Sequence, residues 1–264
     1  MKNKALQWIT FIIAVILGVS VLAAWFSTNI PQPNTIRVAC VGDSITEGSR
    51  YTLDLGQLLG GNYSVGNFGV GLATVCLGSA KPYMNQTVFT QAKAFMPDVV
   101  VILLGTNDAM PIYQQYLANF TSDYKELINA FQTLDSKPKI YLVLPPPIFS
   151  DSLGPTSSQL TQEVIPKIRQ VANETGLPLI DFYSEFESHR GYSSEGVHLT
   201  FEGSKFVATT IYQAIRRDIA SCLFLSRITA EHAPHIWKTP DHMLSTNSFA
   251  SSYSSSVKEE NKLL

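Results

Sequence analysis

The sequence predicts one three-layer α/β domain built on a five-stranded parallel sheet. Three observations predict it. Five short runs rich in Val, Ile and Leu are spaced along residues 34–220, stretches of helical period fill the gaps, and each gap is long enough for a crossover returning the next strand parallel to the last. Continuous rather than alternating hydrophobicity marks strands buried on both faces.

Taken in order, residues 36–41 form the first strand and 53–59 a helix. Strand 63–68 and helix 88–95 follow, then strand 99–104 and a long helix over 113–134. Strand 140–144, helix 160–174, strand 177–180 and helix 201–219 complete the unit. In the long helix Leu117, Phe120, Tyr124, Leu127, Ile128 and Phe131 recur at three- and four-residue intervals, so one apolar stripe faces a sheet. The domain is read as residues 31–220.

The flanks have a different composition. Residues 8–26 carry no charge and follow Lys2 and Lys4, so residues 1–30 read as a membrane anchor or signal segment. The amino-side lysines place the domain outside the cytoplasm, anchored or secreted. Residues 221–264 lose periodicity, with a Ser-rich, uncharged stretch at 245–256 and charges over 258–262, and read as a disordered tail. Sequons at Asn62, Asn85, Asn119 and Asn173 make a glycoprotein the expectation in a eukaryotic secretory pathway.

Composition narrows the function. Over 264 residues, 19 Lys plus Arg stand against 21 Asp plus Glu with no basic run, which argues against a nucleic-acid partner. Cys40, Cys76 and Cys222 are too few and too scattered for a disulfide framework and read as free core thiols. No Cys/His spacing suits a metal, so neither metal nor cofactor is expected.

In a parallel sheet covered on both faces, reactive groups collect beyond the carboxyl ends of the strands. The first strand ends in Gly42-Asp43-Ser44-Ile45-Thr46-Glu47-Gly48 and the second in Gly69-Val70-Gly71-Leu72-Ala73-Thr74. The third ends in Gly105-Thr106-Asn107-Asp108, and Glu195-Gly196-Val197-His198 precedes the last helix. A serine hydroxyl needs a positioned base to become a nucleophile, and His198 stands in a loop that leads into a helix. Glu195, three residues earlier, is placed to hold the other imidazole nitrogen. Donors for a developing oxyanion are the Ser44 N–H, an N–H of the Gly71-Leu72 turn and the Asn107 amide. The chemistry that follows is acyl transfer from an ester.

These blocks resemble the GDSL or SGNH hydrolases, named for a Ser, a Gly, an Asn and a His in four separate motifs. Ser44 matches the first, Asn107 the third and His198 the last, and the likeness spans about residues 37–219. The resemblance implies a flavodoxin-like SGNH hydrolase fold. Residues 67–74, 141–149 and 179–183 are similar to the branch assigned to O-acetyl esters of sugars, sialate included. Two positions depart from the family pattern. Glu195 stands where the family has Asp, and Leu72 stands where it usually has Gly, with Gly71 one residue earlier.

Plainer roles exist for each residue. Ser44 is a natural N-cap, Asn107-Asp108 a turn or cap, His198 a polar loop residue and Asp43 a brace for its turn. Asp181 is the reserve acid, with a capping role the plainer reading. Residues 145–149 with Tyr192 are candidates for the pocket lining. An α/β-hydrolase is excluded because the Ser44 turn lacks the second Gly of a G-x-S-x-G elbow. The expectation is therefore a serine O-acylesterase acting on a small-molecule or glycan ester, with a lipid-directed esterase or a catalytically weak glycan-binding relative as alternatives.

Overall fold

The computed structural model describes residues 35–231, with side chains through residue 218. The expected anchor at residues 1–30 and the Ser-rich stretch 245–256 lie outside the described residues. Among the described residues no helix is long and apolar enough to cross a membrane.

Five parallel strands form the sheet, as expected: β1 (Ile36–Gly42), β2 (Tyr63–Gly69), β3 (Val99–Leu103), β4 (Lys139–Val143) and β5 (Leu179–Ile180). Their order is β2-β1-β3-β4-β5, so the chain winds outward in both directions from β1. β5 is shorter than the run that predicted it. Pro178 has no N–H to donate to a ladder, although its carbonyl accepts from Leu142 N–H at 3.0 Å.

Side chains alternate across the sheet and generate two cores. Val100 and Ile102 point to the face that packs Phe89, Phe120, Tyr124, Leu127, Phe131 and Ile168. Val101 and Leu103 point to the face that packs Tyr51, Leu55, Phe182, Phe186, Val207 and Ile211. Helices α1 (Ser44–Gly48) and α2 (Tyr51–Leu59) follow β1, and α3 (Thr87–Ala94) follows β2. The long helix expected over 113–134 is divided into a 3₁₀ stretch, Pro111–Asn119, and α4 (Phe120–Gln132). Leu117 alone is buried in the 3₁₀ stretch, so little packing anchors it, whereas the stripe from Phe120 to Phe131 is buried as predicted.

The helix expected over 160–174 opens with a π turn, Leu160–Val164, and continues as α5 (Ile165–Thr175), ending on Gly176 at φ 66°. A short helix, α6 (Phe182–Phe186), follows β5. The compact unit ends at Ile219, but the helical backbone of α7 (Phe201–Glu231) continues past residue 220, so residues 221–231, expected to belong to a disordered tail, are helical. A small antiparallel hairpin, β6 (Ser193–Ser194) and β7 (His198–Leu199), was not anticipated. Because the five sheet strands run the same way, the loops leaving β1, β2 and β3 meet at one edge.

Candidate active site

The site begins with the turn that ends β1. A Cβ on Gly42 would sit 1.9 Å from Thr46 Oγ1 and 2.8 Å from the Leu103 carbonyl, so only glycine lets α1 pack this closely on the strand ends. Asp43 then caps α1: its Oδ1 accepts from Ile45 N–H at 2.9 Å, and its carbonyl accepts from Thr46 and Glu47 N–H. The plainer role considered for Ser44 therefore belongs to Asp43. Ser44 is left as the first helical residue with its hydroxyl uncommitted to a cap.

That hydroxyl meets the hairpin from the other end of the chain. His198 Nε2 lies 3.1 Å from Ser44 Oγ, across 154 residues of sequence. Glu195 Oε2 lies 3.4 Å from His198 Nδ1. The Glu195 carboxylate also accepts from the Ser194 hydroxyl, which with His198 holds it below its ordinary pKa, the Ser194 hydrogen bond contributing most. Both central residues of the turn from Ser194 to Val197 have positive φ, 47° at Glu195 and 88° at Gly196, as a type I′ hairpin turn requires. A Cβ on Gly196 would meet Ser150 at 2.5 Å, and the Gly196 carbonyl accepts from Phe149 N–H at 2.7 Å. The hairpin is thus docked onto the loop after β4.

The reserve acid, Asp181, is engaged elsewhere. It pairs with Arg169 at 2.7 Å and caps α6 through Ser184 N–H, which matches its plainer role. Phe149 and Tyr192, candidates for the pocket lining, pack in an aromatic cluster with Phe186, His189 and Phe206 on the α7 face of the sheet. A cleft of about 220 Å³ along β5, lined by Tyr141, Ile180, Asp181, Glu185 and Thr210, contains none of Ser44, His198 or Glu195.

The donors expected beside Ser44 differ in what already holds them. The Gly71 N–H is committed to Glu47 Oε2 at 2.8 Å, so Gly71 does not serve as a donor. Neither Ser44 N–H nor Leu72 N–H has a hydrogen-bond partner among the described residues. Leu72 reaches this position with φ 63°, a left-handed conformation that costs an L-residue about 1–2 kcal/mol. Asn107, buried, gives one amide hydrogen to the Ala73 carbonyl at 3.0 Å and keeps a second.

Two residues that sequence reasoning did not single out hold this arrangement. Glu47 braces the turn through Gly71. Asp108, fully buried, accepts from Val75 N–H at 2.9 Å and Cys76 N–H at 2.9 Å, clamping the loop after β2 onto the loop after β3. Their positions in the Ser44 and Asn107 blocks were visible; their partners, 24 and about 32 residues away, were not. Burial raises the Asp43 carboxyl to about 7 and also raises that of Asp108. Cys40 and Cys76 are free and buried, as expected, and burial pushes the Cys40 thiol up to about 12. Among the described residues no cluster of His, Cys, Asp and Glu is arranged to hold a metal ion.

Known proteins share features of this chain. The model of the GDSL-like Lipase/Acylhydrolase family matches residues 40–206. An acetylxylan esterase of Xylanibacter ruminicola is 34% identical over 212 residues, which cover 70% of this chain and 44% of that protein. The chain spans between 44% and 60% of the length of the relatives it matches in sequence. Among solved structures, an aryl esterase of M. smegmatis aligns with a TM-score of 0.57 at 20% identity, covering 69% of this chain and 99% of that one. A carbohydrate acetylesterase from Sinorhizobium meliloti aligns with a TM-score of 0.57 at 19% identity, again over 69% and 99%. At these identities the structural likeness speaks for the fold.

Proposed function

The chain belongs to the GDSL-like lipase/acylhydrolase family, and on that premise we propose that it is a serine esterase that removes acetyl groups from a carbohydrate. The observation that carries the reading is the 3.1 Å approach of His198 Nε2 to Ser44 Oγ at the carboxyl edge of the sheet. In the proposed reaction Ser44 Oγ attacks the ester carbonyl while His198 takes its proton. The negative charge that develops on the carbonyl oxygen falls among Ser44 N–H, Leu72 N–H and the free hydrogen of the Asn107 amide. His198, held at Nδ1 by Glu195, returns the proton to the leaving alcohol. Water then attacks the acyl-enzyme with His198 as base, and the carboxylic acid departs.

An acetyl ester of a carbohydrate is favoured because the relative at 34% identity is an acetylxylan esterase. Solved structures of the same fold include carbohydrate acetylesterases. The uncharged run at residues 8–26 supports activity at a membrane or beyond it.

The test is acetate release from acetylated xylan and from p-nitrophenyl acetate by wild-type protein and Ser44→Ala. Release by the wild type and none by the variant is expected. Preference for long acyl chains would redirect the reading to a lipid ester, and no turnover of any ester would leave a glycan-binding relative.

A further inference from the structure

We propose that the Leu72 side chain forms a wall of the acyl site and selects short acyl groups, an inference that rests on the esterase reading above. Two features of one residue motivate it. Leu72 holds a left-handed backbone conformation, φ 63°, which glycine adopts without strain and a leucine resists. Yet its side chain is 58% exposed, so core burial does not account for a leucine at this position.

Location and covalent geometry supply the rest. The neighbouring Gly71 lies so close to the nucleophile that a Cβ on it would be 4.0 Å from Ser44 Cβ. Leu72 N–H has no protein acceptor among the described residues, so on the esterase reading it is free to bind the reacting carbonyl oxygen. In any residue Cβ is about 2.5 Å from its own nitrogen. An oxyanion accepting from that N–H at about 2.9 Å therefore lies no more than about 5.5 Å from Leu72 Cβ. The isobutyl group thus flanks the ester whenever the N–H binds it, whereas a glycine would supply the same N–H and no wall. The leaving alcohol must face His198 Nε2, which returns the proton to it. The substituent left beside the turn that carries Leu72 is the acyl chain.

The experiment measures kcat/KM of wild type, Leu72→Gly and Leu72→Ala on p-nitrophenyl acetate, butyrate and octanoate, a series in which only the acyl group changes. Wild type should favour acetate. Leu72→Gly should raise the butyrate-to-acetate ratio about tenfold or more, the discrimination that one or two methylenes provide in an apolar site. Leu72→Ala should fall between. Thermal unfolding supplies the control: Leu72→Gly should melt no lower than wild type, because glycine relieves the backbone strain. A ratio unchanged within twofold in a folded Leu72→Gly variant overturns the proposal. So does an equal loss on all three esters, which would make residue 72 a backbone position only. A wild type inert toward every ester defeats the esterase reading itself, and the selector with it.

Discussion

The two halves of the site are built differently. Asp43, Asn107 and Asp108 are buried, and each is tied to backbone groups of the strand ends and their loops. The hairpin that carries Glu195 and His198 is half open to solvent, with side chains 57% and 42% exposed. It is held by the Phe149 to Gly196 hydrogen bond and by aromatic packing beneath Tyr192. Asp43, Asn107 and Asp108 are thus part of the core, where position is set by close packing. His198 and Glu195 sit on a surface turn, where position rests on a few contacts and solvent weakens the charges. Removing one of the buried groups should cost stability as well as rate; changes at Glu195 and His198 should cost rate alone.

The largest expected effect tests the boundary between them. Ser44→Ala should lower turnover by about 10⁴ to 10⁶. Its melting temperature should stay near that of wild type, because Asp43, and not Ser44, caps α1. Retention of a tenth of wild-type activity would remove Ser44 from the mechanism. Next comes Asn107→Ala, expected to depress kcat by about 10² to 10³ with little change in KM, since its amide meets charge that exists chiefly in the transition state. It should also unfold more easily, because the buried Ala73 carbonyl loses its donor. A variant that loses rate with no loss of stability would break the comparison.

On the open half, Glu195→Gln should lower kcat by about 10- to 100-fold. That is less than the roughly 10⁴ of a buried triad acid, because solvent screens an exposed carboxylate. Its unfolding should be unaffected. Glu195→Asp should remain within a few-fold of wild type, as Asp tolerates the positive φ at this position better than Glu does. If Glu195→Gln is silent while Asp181→Asn, still folded, is dead, the acid is Asp181.

The smallest effect lies in the buried half and concerns pH. Asp43 titrates near 7 in the native state against about 3.8 unfolded, because burial penalises its charge; Thr106 and Asp108 face it. Between about pH 4 and 7 the native state keeps a proton that the unfolded chain releases. The contribution of Asp43 to stability is therefore complete below about pH 4 and is lost as pH rises through 7, with a slope of about 1 kcal/mol per pH unit. Asp43→Asn retains an acceptor for Ile45 N–H and should flatten that slope in urea melts from pH 5 to 8. Parallel profiles for the two proteins would place Asp43 outside this titration.

Much of this was legible in the residues. Continuous, β-branched runs such as Val99 to Leu103 read as strands buried on both faces, and Gly42-Asp43-Ser44 and Asn107 stand just after two of them. Local pattern could not announce the hairpin around Glu195. Its strands are two residues each, and its turn depends on Gly196 fitting against Ser150. Nor could it show that Gly71 N–H is taken by Glu47, or that Phe149 and Tyr192 belong under the hairpin.

The sequence by itself determined the strand order in time, the parallel sheet, and which residue types stand at the carboxyl ends, because periodicity and strand-end chemistry act over a few neighbouring residues. Only the tertiary structure decided that Asp43 caps α1, that Leu72 supplies the free N–H in a left-handed turn, and that His198 meets Ser44. The last of these joins groups 154 residues apart, and the energy that selects it exists only once the two cores have packed.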